Sequence, residues 1–183
     1  MKKLFFFLLF VMCSVNMHAQ DVKDTAKAAT DTLRPFQKSP KLPAFNIRMM
    51  DSVTIFNTYN IPKGKKTLIV FFSPDCKHCQ RQVKELTKGM DSISDIQLYM
   101  ITPVHSMTEL REFYAKYHLG DYENIKLVGR DYEFFFGGFY GTRVVPDMVL
   151  YDEQKKLIKL FEGNNTVTEI YNAAHGIVTP PAK

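Results

Sequence analysis

Apolar positions follow two rhythms along this chain. From Leu42 the stretch LPAFNIRMMDSVTIFNTYNI alternates, with Phe45, Ile47 and Met49 before Asp51-Ser52 and Val53 and Ile55 after them, which predicts a β-hairpin. PKGKK then turns the chain into TLIVFFS, Thr67 to Ser73. That continuous β-branched and aromatic run is expected of a strand buried on both faces. Beyond Pro74 the period changes: Cys79, Val83, Leu86 and Met90 share one helical face, with Lys77, Arg81, Lys84 and Lys88 on the other. The pattern then repeats. IQLYMIT (96–102) reads as a second buried strand, and SMTELREFYAKYHLG (106–120) as a helix capped by Ser106 or Thr108 and ended by Gly120. IKLVG (125–129) is a short strand and RDYEFFFGGFYG (130–141) a short aromatic helix. Two strands then flank an Asp152-Glu153-Gln154 turn, and TVTEIYNAAHG is a last amphipathic helix. This succession predicts an α/β fold, a mixed central sheet with helices on both faces.

The first 41 residues do not share these rhythms. MKKLFFFLLFVMCSVNMHAQ has Lys2 and Lys3, an apolar run from Leu4 to Val11 and a polar stretch ending in Ala19, the layout of a secretory signal peptide at 1–19. The run is too short to span a bilayer, which takes about 20 apolar residues. Residues 20–41 lack apolar periodicity and are expected to be a disordered linker. The domain then covers 42–176, with a tail at 177–183. Export, with a periplasmic location, is the expected fate. A second reading makes Cys13 the lipidated cysteine of a membrane-tethered lipoprotein, but Met12 stands where that cleavage site favours a small residue.

Composition agrees with one globular domain plus this appendage, at 183 residues with 45% hydrophobic and 23% charged. The formal charge is +5, and loss of Lys2 and Lys3 with the signal lowers it by two to +3. No block of like charges interleaves with aromatics, so nucleic acid is not an expected partner.

Three cysteines occur, and removal of Cys13 leaves Cys76 and Cys79. A bridge across three positions closes too small a loop to stabilise a secreted domain, so the pair is chemistry rather than scaffolding. At a helix start, the unpaired N–H groups and the positive end of the dipole favour a Cys76 thiolate. Lys77 and His78 are expected to tune it further. Cys79, one turn on along the apolar face, is the resolving thiol. Groups that stabilise the dithiol make its disulfide the stronger oxidant, so the intervening Lys-His leans oxidising. No acid precedes Cys76 on the strand: Val70 stands six positions before it.

PDCKHC after a buried strand, with RVVPDMVLYD some seventy residues later, resembles the thioredoxin fold, and more narrowly the TlpA/ResA-like exported thiol–disulfide oxidoreductases. The opening LP-x-F segment (Leu42 to Phe45) and the Gly64-Lys65 turn fit the same group. The resemblance covers about residues 42–175. It implies that Cys76 attacks, Cys79 resolves, Pro146 is a cis-proline facing them, and the Val145 backbone pairs with substrate. It implies protein thiols or disulfides as substrates, a membrane or periplasmic electron-transfer partner, and no cofactor. The chain departs from the group in four ways. It has no tryptophan, Ser73-Pro74-Asp75 replaces the aromatic before the cysteines, Gln82 stands where some members carry an acid, and Asp147 replaces the Thr after the proline.

Other readings remain. A redox-inert binding module would use the same fold, and a peroxiredoxin-like reductase would need a P-x-x-x-T-x-x-C frame that neither cysteine has. Zinc would need further ligands, and His105, His118 and His175 fall in different elements, so no metal is expected. Phe134, Phe135, Phe136, Phe139 and Tyr140 are read as core, with one or two rings flanking the site. Gly137, Gly138 and Gly141 are read as helix-ending and turn positions rather than a phosphate loop.

Overall fold

The structure is a computed structural model that describes residues 33–104 and 106–178. The expected signal peptide, most of the expected linker, His105 and the end of the tail lie outside them. Residues 33–38 are a unit of their own, a single helical turn over Pro35–Lys38 in which the Arg34 N–H donates to the Gln37 side chain.

From Ser39 onward the chain folds around one mixed sheet. Its strands are β1 (Asn46–Met49), β2 (Ile55–Asn57), β3 (Lys66–Phe71), β4 (Ile96–Thr102), β5 (Ile125–Arg130), β6 (Asp147–Tyr151) and β7 (Leu157–Glu162). They are ordered β2-β1-β5-β4-β3-β6-β7. β3, β4 and β5 run parallel, and every other pairing is antiparallel. The helices are α1 (Lys77–Lys88), α2 (Met107–Lys116), α3 (Phe135–Tyr140) and α4 (Val167–Ala174).

The continuous apolar run of β3 places it at the centre, between β4 and β6. Its even-numbered side chains, Leu68 and Val70, with Phe72 just beyond, pack with Cys79, Val83 and Leu86 of α1, Leu110 and Phe113 of α2, and Val167 and Ile170 of α4. Its odd-numbered face meets α3, where Phe71 stacks on Phe136 at 4.6 Å and Phe45 stacks on Phe135 at 4.9 Å. Each fully buried side chain of this size contributes about 1.5–3 kcal/mol relative to exposure. The same residues would be wasted on a strand with one wet face, so burial explains both the sequence run and the three-layer arrangement.

The hairpin, the buried strands and the terminal helix fall where periodicity puts them. Ile47 is buried opposite Phe56, while Val53 is 80% exposed in the turn, since Ser52 adopts φ 68° and reverses the chain there. Ser106 is the cap of α2, accepting from the Glu109 N–H, and Thr166 with Glu169 forms a capping box on α4.

Two glycine readings are corrected. Gly120 does not end α2; the left-handed residue is His118 at φ 50°, and Gly120 sits within a following 3-10 turn, where a Cβ would strike the Tyr114 hydroxyl. Gly141 ends α3 at φ 70°, but Gly137 and Gly138 lie inside that helix. Of the aromatic cluster, Phe136 and Tyr140 are fully buried, Phe135 and Phe139 are partly buried and Phe134 is half exposed.

Candidate active site

β3 ends at Phe71 and the chain leaves the sheet through Phe72, Ser73, Pro74 and Asp75 into α1. Cys76 is the N-cap of α1, in extended conformation (φ −75°, ψ 117°), and its carbonyl accepts the first helical bond from the Gln80 N–H at 3.0 Å. Its side chain is half-buried and makes no cap bond of its own. The thiol therefore stands beside the open N–H groups of the first turn. Cys79, one turn later on the apolar side, is fully buried. Removal from water holds the Cys79 thiol in its protonated form and pushes it up to about 12, against one N–H bond from Ser73 at 3.4 Å. Neither cysteine is in a disulfide here.

The wall opposite Cys76 comes from seventy residues further on. After α3 ends, residues 142–146 lead into β6 through a cis Val145–Pro146 bond. The Val145 carbonyl lies 3.6 Å from Cys76 Sγ. Two clips hold this loop: the Thr142 hydroxyl donates to the Asp147 carboxylate at 2.6 Å, and the Gly163 N–H donates to the Pro146 carbonyl at 2.9 Å. Asp147 is buried beside Phe71 on the α3 face of the sheet, the face away from Cys79. On that same face the Tyr140 and Tyr151 hydroxyls bond one another, and burial raises both above the ordinary tyrosine range.

The two residues between the cysteines are both exposed. His78 Nδ1 accepts from the Arg81 guanidinium at 2.7 Å, and its carbonyl accepts from the Asn164 amide at 2.7 Å. The Lys77 side chain makes no hydrogen bond or ion pair among the described residues. Gln82 is buried beneath this turn, where its side-chain amide makes both bonds of the Asn165 peptide, accepting from the N–H at 2.7 Å and donating to the carbonyl at 2.9 Å. The β7–α4 loop is thereby fastened to α1. Ser73 and Asp75 bond through their side chains, hydroxyl to carboxylate.

The fold thus brings together Cys76, Cys79, Val145 and Pro146, the four residues that the family resemblance singles out. Periodicity did not reveal the supports: Thr142 with Asp147, and Gln82 with Asn164-Asn165. Their partners are 82 and 83 positions apart for Gln82. The Asn-Asn pair reads only as a turn, and nothing local points from it to α1. Histidines are scattered. His118 lies 3.9 Å from Asp121 and His175 lies 3.3 Å from Asp95. Among the described residues no three His, Cys, Asp or Glu side chains converge.

A family model described as a thioredoxin-like domain matches residues 59–174, more than half of the chain. Several solved structures share the fold. One is a secreted disulfide oxidoreductase of Mycobacterium tuberculosis, described as homologous to Escherichia coli DsbE. It has TM-score 0.59 and 15% identity, over 72% of this chain and 95% of that one. StoA of Bacillus subtilis is similar at TM-score 0.56 and 16% identity, over 73% and 98%. A thiol:disulfide interchange protein of the thioredoxin family from Chlorobium tepidum gives TM-score 0.61 and 14% identity, over 79% and 97%. No curated protein matches the sequence.

Proposed function

The chain belongs to the thioredoxin-like domain family, and on that premise we propose that it is an exported thiol–disulfide oxidoreductase acting on other proteins. One observation carries the reading: a half-exposed thiol at a helix N-cap faces the Val145 carbonyl, with a second, fully buried thiol one turn behind it. Cys76 as thiolate attacks one sulfur of a substrate disulfide, a new Cys76–substrate bond forms, and the other substrate sulfur leaves as a thiolate. Cys79 then attacks Cys76 Sγ, loses its proton, and releases the second substrate thiolate as the Cys76–Cys79 disulfide closes. Two electrons pass from the pair to the substrate; run backwards, the same steps oxidise a dithiol. A thiol–disulfide partner in the membrane or periplasm resets the pair.

The Val145 and Pro146 backbone orients the substrate by strand-like pairing. Lys77 and His78 tune the attacking thiolate. Cys79 needs a proton acceptor when it attacks; Val70 supplies none, so its proton passes to solvent or to another residue. The signal-like N-terminus supports export, and the secreted M. tuberculosis neighbour is in keeping with it.

The test is the reduction potential of the Cys76–Cys79 couple, measured by equilibrating the mature protein in glutathione buffers. A value near about −120 to −180 mV makes it an oxidant, and one at or below about −270 mV a reductant. Failure of the two cysteines to form a disulfide would sink the reading.

A further inference from the structure

The solvent side of α1 carries one sign of charge. Lys77, Arg81, Lys84 and Lys88 follow one another at helical spacing and all are exposed, with His78 beside the first. They form a stripe that begins next to Cys76 and runs the length of the helix. None of the three lysines meets a carboxylate among the described residues. Glu85 is the only acid on α1, and its carboxylate is turned aside to accept from the Val167 N–H at 3.2 Å. Glu169, the neighbouring acid of α4, is engaged by the Thr166 N–H and hydroxyl. These bonds leave both carboxylates charged, but four cations against the single acid of α1 keep the stripe net positive.

A hollow that begins beside Cys76 and reaches α2 has mainly the other sign. Asp75, Glu109 and Glu112 line it with Pro74, Phe113 and Lys116. A partner that lays its reacting sulfur on Cys76 therefore meets cations along α1 and mainly anions toward α2. Such a field steers the encounter and fixes its orientation.

We propose that the α1 stripe is a docking surface for an acidic segment of the protein substrate, seated so that the substrate's cysteine reaches Cys76. This rests on the oxidoreductase reading above and names the chemistry of the partner. A polypeptide fits better than an anionic lipid surface, because the stripe starts at the reacting sulfur and the hollow beside it differs in sign.

Two fluorescent peptides test this, alike except that one flanks a central serine with Asp and Glu and the other with Lys. Binding is measured by anisotropy to the full mature chain and to Lys84→Glu/Lys88→Glu, with Lys84→Gln/Lys88→Gln as a milder pair. Both sites are exposed and distant from the loop that faces Cys76, and matched thermal unfolding curves check the fold. The acidic peptide is expected to bind the wild type about tenfold more tightly than the basic one at low salt, with the gap closing at high salt. The Glu pair should invert the order and the Gln pair abolish it. Equal binding of the two peptides, or an order unchanged in the Glu pair, would overturn the docking surface. Cosedimentation with anionic vesicles without any peptide preference would also overturn it, in favour of a lipid surface. Turnover of neutral hydroxyethyl disulfide, run in parallel, reports the redox reading alone, since it carries no charge for the stripe to hold.

Discussion

Cys76 Sγ and the Val145 carbonyl oxygen lie 3.6 Å apart, though 69 positions separate the two residues. The contact sets the half-buried sulfur of Cys76 beside the backbone that leads into the cis Val145–Pro146 bond. Cys79, by contrast, is fully buried.

That asymmetry predicts selective alkylation. Native Cys79→Ser, which keeps Cys76, should be labelled by iodoacetamide at neutral pH, whereas native Cys76→Ser should resist labelling until unfolded. Mass spectrometry distinguishes the two. Prompt labelling of Cys79 in the native Cys76→Ser chain would contradict its burial.

Lys155 predicts a pH effect on stability. Its ammonium is nearly buried, bonded to the Thr67 hydroxyl and the Lys65 carbonyl, and loss of hydration lowers its pKa to about 8. Below pH 8 both folded and unfolded chains hold this proton, and the folded state bears the cost of the buried charge. Between pH 8 and about 10.5 the unfolded chain binds more protons, so stability rises with pH across that window. Relative to Lys155→Met, the wild type should gain on the order of 2–3 kcal/mol from pH 8 to 10.5, read by urea unfolding. A parallel pH course for the two proteins would refute the assignment.

Gln82 predicts the cost of restoring an acid at this position. Gln82→Glu keeps the acceptor for the Asn165 N–H but removes the donor to the Asn165 carbonyl and buries a charge. A loss of about 1–3 kcal/mol is expected at pH 7. It should shrink as the pH falls far enough to protonate the buried carboxyl, because the protonated acid donates again. Denaturant melts at pH 7 and 4 would show it.

Gly129 predicts a packing penalty. It faces Met49 where β1 crosses close to β5, and a Cβ there would come within 2.6 Å of the Ile47 side chain and 2.7 Å of the Arg48 carbonyl. Gly129→Ala should cost about 1–3 kcal/mol through displaced backbone. An unchanged melting temperature would show that β1 can shift without loss.

Much of this architecture is written in short-range pattern. The run Thr67 to Phe72 can be satisfied only by burial on both faces, and the period change after Pro74 puts Cys76 at a helix start. Cys79 is buried because it shares the helical face of Val83 and Leu86. Helix ends were less legible. His118 rather than Gly120 takes the left-handed position, and Gly120 lies within the 3-10 turn that follows, packed against Tyr114.

The sequence by itself determined the order of strands and helices, the buried central strand and the placing of two cysteines at the start of α1, because each follows from periodicity within a dozen residues. Tertiary structure alone decided that the Val145 carbonyl faces Cys76, that Thr142 and Asp147 clip the loop carrying it, and that Gln82 fastens Asn165 to α1. It also decided that Glu85 and Glu169, beside the α1 stripe, accept from the Val167 and Thr166 N–H groups. The physical reason is that the Val145 and Gln82 contacts and the turn of Glu85 toward Val167 join residues about 70 to 80 positions apart. Strand pairing and core closure set such distances, and no local pattern encodes them.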